Sequence, residues 1–478
     1  MSLFLGVDIG TSSSKGVLVD SDGVVVRKAV REHEVDRPRP GYVEMDAAVW
    51  WTEFLSLAKE LTAGVTVKAV GVSGMGPCVL ITDSKGRPLR PAILYGVDTR
   101  ATAQIEALTE EFGDEILDRC GSVLSTQAVG PKLLWLAEHE QVGQRLFMPA
   151  SWLVHQLTGA YTLDYHSASQ CTPLFDTHAL DWYRPWAERI APGLELPPLA
   201  WPGDVAGLTG EAIAGIPPGT PVITGTIDAW TEAVSVGAQN PGDLMLMYGT
   251  TMFLIATVDR PLTTPAMWGT VGAFPGTRNL AGGMATSGAI TAWLSKTTQT
   301  SYEQLTREAD ASGPGARGLL MLPYFAGERT PVMDPDARGV IAGLTLEHTR
   351  GDLYRAALEA TALGVRHNIE ALQAAGADID RVVAVGGGTR GGLWTRVVSD
   401  VTGLAQVVPR VTIGAAYGAA FLAAGDQDIN AWNPAAEIVE PDPRNRPGYD
   451  ELYALYHDLY PATRSITHSL ANRQRRTP

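Results

Sequence analysis

Cysteine is scarce in this chain: Cys78, Cys120 and Cys171 are the only three in 478 residues. They are far apart, form no CxxC pair and leave an odd count, which argues against a disulfide frame and for reduced, buried thiols in a cytoplasmic protein. The nine histidines are scattered, with no HExxH or comparable pair, so the pattern of a zinc site is missing. Basic residues are outnumbered, 37 Lys and Arg against 52 Asp and Glu, for a net charge of −15. That balance excludes a broad surface for nucleic acid or anionic membrane. The one basic cluster, ANRQRRTP at the end of the chain, reads as a solvated terminus. There is no long apolar run, and a strand pattern begins by Leu3 without a basic leader or cleavage site, so neither secretion nor membrane spanning is expected.

What is present is ordinary globular usage, 45% hydrophobic and 19% charged, in a chain long enough for two cores. Pro241-Gly242 is a natural boundary, giving domains 1–240 and 241–478. Each begins alike. LFLGVDIGTSSSKGVLV, from Leu3, reads as strand, small-hydroxyl turn, strand, and LMLMYGTTMFLIATV, from Leu244, repeats the arrangement. The first turn leads into a strand rather than a helix, so it is not the usual dinucleotide fingerprint. A Gly-Thr-Ser hairpin can still hold phosphate, because glycines let backbone N–H groups approach, hydroxyls donate and Lys15 supplies a cation.

Two stretches carry chemistry with a plainer alternative beside it. PAILYGVDTR, 91–100, places Tyr95, Asp98 and Arg100 within six residues, a mixture suited to a polyol; a surface turn with an Asp–Arg pair reads equally well. In TIDAWTEAVSVG, Asp228 stands where a strand pattern gives way to a small-residue helix. It is either an N-cap or a general base held ionised by the helix N-terminus. Further on, the loop 322–339 is long and rich in Pro and Gly, a triple glycine at 386–388 joins a strand to a helix, and GAAYGAA at 414–420 suits close helix packing.

In this order the features resemble the actin-like (ribonuclease H-like) ATPase fold, two α/β domains with a nucleotide cleft between them. Within that fold the chain is similar to the FGGY carbohydrate kinases, most closely their pentulose-kinase branch. The similarity runs nearly full length, through VDIGTSSSKG, YVEMDAAVWW, PAILYGVDTR, TIDAWTEAVSVG, YGTT, FAGERTPVMDPDARG and VGGGTRGGLW, and 339–359 follows the family's C-terminal signature. The resemblance implies ATP and Mg²⁺ as cofactors, with Asp8 holding Mg²⁺ through water. It implies Gly10, Thr11, Ser12 and Lys15 at the phosphates, Gly249 and Thr250 as a second phosphate hairpin, and Gly288, Gly387 and Gly388 bordering the nucleotide. Asp228 matches the family's base, which takes the proton of the attacking sugar hydroxyl. Met75, Gly76, Tyr95, Asp98, Arg100 and Asp228 are the expected sugar contacts.

Departures from the family bear on the sugar. Where its xylulose kinases carry Met-His after the strand ending near Val72, this chain has Gly76-Pro77, and Ala229 replaces the Asn that follows their base. Ile227-Asp228-Ala229 looks more like the ribulose-kinase version, whereas length and framework look like the xylulose kinases. The expectation is an ATP-dependent kinase of a ketopentose, xylulose first, with ribulose or another polyol as the alternative. A non-catalytic actin-like nucleotide-binding module is the reading from another class, and the Tyr95–Arg100 loop stands against it. The expected partner is a small-molecule sugar, with no nucleic acid or membrane, and a homodimer is left open.

Overall fold

The computed structural model describes residues 2–476. They form two compact α/β units, one made of the chain to Asn240 with Thr257–Asn279 and Ile413–Pro434, the other of Pro241–Ala256, Leu280–Thr412 and the chain from Ala435. Among the described residues no helix is long and apolar enough to cross a membrane.

The sheet of the first unit is built on the opening hairpin. Strand Leu3–Ile9 pairs antiparallel with Ser13–Asp20, which pairs antiparallel with Val25–Glu32. On its other side Leu3–Ile9 runs parallel to Ala69–Gly74, which in turn runs parallel to Pro221–Ile223 and Thr226–Ile227. Every residue from Leu5 to Ile9 and from Ala69 to Gly74 is buried, so both strands are covered on both faces.

Adjacent residues on a strand face opposite sides, so the glycines show what covers each face. Helix Ala47–Leu61 begins at Asp46, whose side chain accepts from Ala48 N, and buries Trp50, Phe54, Leu57 and Leu61 at helical spacing. A Cβ on Gly16 would strike Leu61. Gly6 and Gly71 are register partners facing the opposite way. A Cβ on either would come within 1.9 Å of a carbonyl oxygen, of Ala416 or Ala419, in the helix Ala415–Ala424. That helix also approaches Asp228–Ser235 so closely that a Cβ on Gly418 would sit 2.1 Å from Thr231 O. GAAYGAA therefore does pack tightly, and its partners are the strands of Asp8 and Ser73 and the helix of Asp228.

The second unit repeats the plan. Asp243–Tyr248 pairs antiparallel with Met252–Val258 and parallel with Arg381–Val385. Gln406–Pro409 extends the sheet parallel to Arg381–Val385, and Ala435–Val439 closes it antiparallel. The 25-residue helix Arg350–Ala374 starts on a capping box, with Thr349 accepting from Asp352 N and Asp352 accepting from Thr349 N. Strands Leu320–Leu322 and Val340–Ala342 pair with each other and close the base of the loop between them. Within that loop Glu328 and Asp334 exchange backbone hydrogen bonds, so it is less irregular than its composition suggests.

Candidate functional site

Strand register assembles the candidate site in the first unit. Asp8 is the register partner of Ser73 on one side of the central strand, and Thr226 is its partner on the other. At about 4.8 Å per strand, Asp8 and Thr226 lie roughly 10 Å apart with Ser73 between them, and Asp228 follows two residues later. Ser73 Oγ donates to Asp8 Oδ1 at 2.8 Å. Thr226 is itself anchored, its hydroxyl donating to the buried Asp164 at 2.6 Å.

Asp228 is not the helix N-cap. Ile227 holds that position with extended backbone angles, and Asp228 is the first helical residue. Among the described residues its Oδ1 accepts from the neighbouring Ala229 N alone, at 2.8 Å, so the carboxylate does not close the free N–H groups deeper in the turn, as a cap would. Burial, then the charges of Asp8 and Glu232, push the Asp228 carboxyl above the usual aspartate range, while Ala229 N–H and Lys15 oppose the shift. Asp8 is raised by burial against the pull of Ser73 and Lys15. Glu232, one turn beyond Asp228, is pushed up to about 7 by burial and by Asp8, with Lys15 and the Ala415 backbone opposing. Lys15 opposes the shift in all three.

Glu232 was absent from the sequence-based site, although its i+4 spacing from Asp228 placed it on the same helix face. These oxygen donors suit a hard divalent cation, which would favour the ionised form of all three buried carboxyls. Among the described residues no three His, Cys, Asp or Glu side chains form a direct cage for a metal. Carboxylate oxygens of this kind are donors that Mg²⁺ accepts.

The adjoining hairpin turns at Gly10, whose N–H donates to Ser13 O at 3.1 Å. Ser12 and Lys15 are exposed, and Lys15 is the register partner of Asp8. Thr11 is half-buried, with its Oγ1 2.6 Å from Tyr95 OH. The polyol-like loop and the Gly-Thr-Ser turn are thus joined by one hydrogen bond that spacing could not foretell.

The rest of that loop differs from expectation. Asp98 and Arg100 have side chains with 0% exposure, so theirs is a core ion pair and not a surface one. Arg100 Nε and Nη2 donate to the two Asp98 oxygens, at 2.9 and 2.7 Å, and Asp98 also receives Val43 N at 2.7 Å. The guanidinium reaches Glu44 at 2.7 Å and lies over the rings of Tyr42 and Trp135. Met75 is fully enclosed in the hydrophobic core, which removes its side chain from sugar contact. Gly76 is half-buried, and a Cβ there would meet Ile227 Cγ1 at 2.7 Å, so the residue before Asp228 fills the space a larger side chain would need. Lys132, a lone cation in the apolar run GPKLLWL, escaped the sequence reading. It is buried, and its Nζ donates to Thr126 O at 2.6 Å, while the Thr126 hydroxyl holds Gly96 O at 2.8 Å.

In the second unit Gly249 N donates to Thr251 O, and Ser287 N and Gly288 N donate to Thr250 O and Gly249 O. A Cβ on Gly288 would sit 2.5 Å from Gly249 O, so this glycine lets the helix Gly288–Thr298 start against the hairpin. Gly386 has φ +96° and lies against Tyr248 O, and Gly388 lies against the Trp394 ring. Intramolecular packing accounts for both; Gly387 alone faces open space.

Residues 3–235 match the N-terminal domain of the FGGY family of carbohydrate kinases, and residues 244–425 match its C-terminal domain. The chain is 27% identical to the xylulose kinase of Bacillus subtilis (strain 168) over 496 residues, covering 98% of this chain and 99% of that protein. It is 32% identical to the glycerol kinase of Nocardia farcinica over 475 residues, covering 91% and 93%. The crystal structure of xylulose kinase from Rhodospirillum rubrum superposes with a TM-score of 0.91 at 30% identity, over 98% of this chain and 100% of that one.

Proposed function

The chain belongs to the FGGY family of carbohydrate kinases, and from that premise we propose that it transfers the γ-phosphoryl group of ATP to a terminal hydroxyl of a ketopentose, xylulose first. The observation that carries the mechanism is the placement of Asp8 and the Asp228 segment on either side of Ser73, beside the exposed Ser12 and Lys15. Xylulose is favoured because relatives matching the chain almost end to end bear that name.

In this reading Asp228 accepts the proton of the attacking hydroxyl as that oxygen bonds to the γ-phosphorus and ADP leaves. Phosphoryl transfer asks chiefly for alignment and charge neutralisation, so a carboxylate suffices as base. Thr11, Ser12, Lys15 and the backbone around Gly10 bind the phosphates, and in the second unit Gly249, Thr250, Gly288, Gly387 and Gly388 line the nucleotide's path. Asp8 would hold Mg²⁺, which when bound would supply charge neutralisation. On the sugar side Tyr95 and Gly76 are the contacts, and Asp98, Arg100 and Lys132 act from behind by holding the loop that carries Tyr95.

The raised carboxyl has a consequence in pH. The base works only when ionised, so a carboxyl lifted from the ordinary 3.8 toward about 7 moves the acid limb of kcat/KM upward by the same sense. Values of kcat/KM measured from pH 4.5 to 8 should rise with pH and level off once Asp228 is ionised, above about 7. A profile already flat at pH 5 would remove Asp228 from the role.

Initial rates with ATP and Mg²⁺ on xylulose, ribulose, glycerol and a tetritol test the acceptor. The expected order puts xylulose first in kcat/KM. Turnover of glycerol alone would replace the ketopentose by a smaller polyol, and no turnover of any would overturn the assignment.

A further inference from the structure

The first hairpin is braced by two residues with no part in the chemistry above. His33 follows strand Val25–Glu32, and Glu53 lies on helix Ala47–Leu61. Their side chains are 6% and 13% exposed. The His33 ring stands between two oxygens, Nδ1 at 2.9 Å from Glu53 Oε2 and Nε2 at 3.0 Å from the Gly10 carbonyl. His33 N donates to Ser12 O at 3.1 Å, and Ser14 Oγ donates to the same Glu53 oxygen. The imidazole–carboxylate pair thus holds Gly10 and Ser14, at the two ends of the turn, while the His33 backbone holds Ser12.

A carbonyl and a carboxylate only accept hydrogen bonds, and a neutral imidazole donates from one nitrogen alone. A ring that donates from both nitrogens satisfies both oxygens. The Gly10 carbonyl and Thr11 N–H belong to one planar trans peptide and point in opposite directions. A donor that fixes the carbonyl therefore fixes the aim of Thr11 N–H, and a cationic donor polarises the peptide so that this N–H binds an anion more strongly.

We propose that His33, held by Glu53, is a positioning residue for nucleotide binding: it orients and polarises the Gly10–Thr11 peptide so that Thr11 N–H meets a phosphate oxygen, without touching the nucleotide itself. The proposal rests on the reading of Gly10–Lys15 as a phosphate hairpin.

Two measurements on the full chain test it. In protein labelled with ¹⁵N at histidine, both ring nitrogens of His33 should carry a proton, and Glu53→Gln should abolish that signature. Calorimetric titration with Mg·ATP should give a Kd raised about 5- to 10-fold in Glu53→Gln and in His33→Phe, the scale of one hydrogen bond, with KM for the sugar and kcat at saturating ATP changed less than about twofold. Lys15→Met probes the hairpin independently and should also weaken Mg·ATP. An unchanged Kd in Lys15→Met would overturn the phosphate hairpin and the proposal with it. A weakened Lys15→Met beside an unaltered Glu53→Gln, or a His33 ring in the wild type with a proton on one nitrogen only, would overturn the positioning role alone.

Discussion

Asp228→Asn should lower kcat by about 1,000-fold, within the span that general-base catalysis contributes, while Mg·ATP binding changes little. The two halves of this expectation have separate origins. Asn keeps the volume of Asp and can occupy the same place at the start of Asp228–Ser235, so the backbone that aims it is undisturbed. It cannot accept a proton, so the hydroxyl must lose its proton to water as it attacks. The nucleotide is assigned to other residues, and removing one of three mutually repelling acids does not weaken an anion's hold. Steady-state rates and calorimetry on the same preparation separate the halves. Retained turnover would refute the base, and joint loss of turnover and ATP binding would indicate damage to the site as a whole.

Arg100→Met should destabilise the first unit by about 3–5 kcal/mol, because it leaves a buried carboxylate without its counter-charge. Asp98 and Arg100 both have fully enclosed side chains, and Asp98 would keep only the Val43 N–H and the backbone N–H of residue 100. Removing both charges is a smaller insult, so Asp98→Leu with Arg100→Met should recover part of the loss, a non-additivity that denaturant titration reads directly. Catalysis distinguishes support from contact. At a temperature where the variant is folded, its KM for sugar should follow the mobility of the Tyr95 loop, and Tyr95→Phe should reproduce the effect without the loss of stability. A large rise in KM in Arg100→Met with Tyr95→Phe unaltered would put the guanidinium on the sugar.

How far the sequence alone reaches depends on how local each signal is. The two strand–turn–strand segments, the helix after Asp46 and the helix at 415–424 are set by neighbours in the chain, and they stand where the patterns put them. Asp228 was visible as a carboxylate at a strand-to-helix junction, but its relation to Asp8 depends on which strand lies between, and Ser73 carries no mark of that position. Asp98 and Arg100 look alike on a surface or in a core. Tyr42, Glu44 and Trp135, distant in sequence, bring them inside. Met75 reads as loop because glycines flank it, yet it completes the core. Gly6 and Gly71 announce close approach without naming the distant helix Ala415–Ala424 that needs it. The His33–Glu53 brace was invisible for the same reason, since neither residue has a local partner.

The central claim is that the chain delivers phosphate to a sugar hydroxyl and not to water. The most direct measurement is a product balance by ³¹P NMR, with wild-type protein, Mg·ATP and xylulose. The account predicts one sugar phosphomonoester formed for each ADP, with no ADP above background when the sugar is left out. ADP accompanied by inorganic phosphate, at a rate indifferent to the sugar, would contradict it.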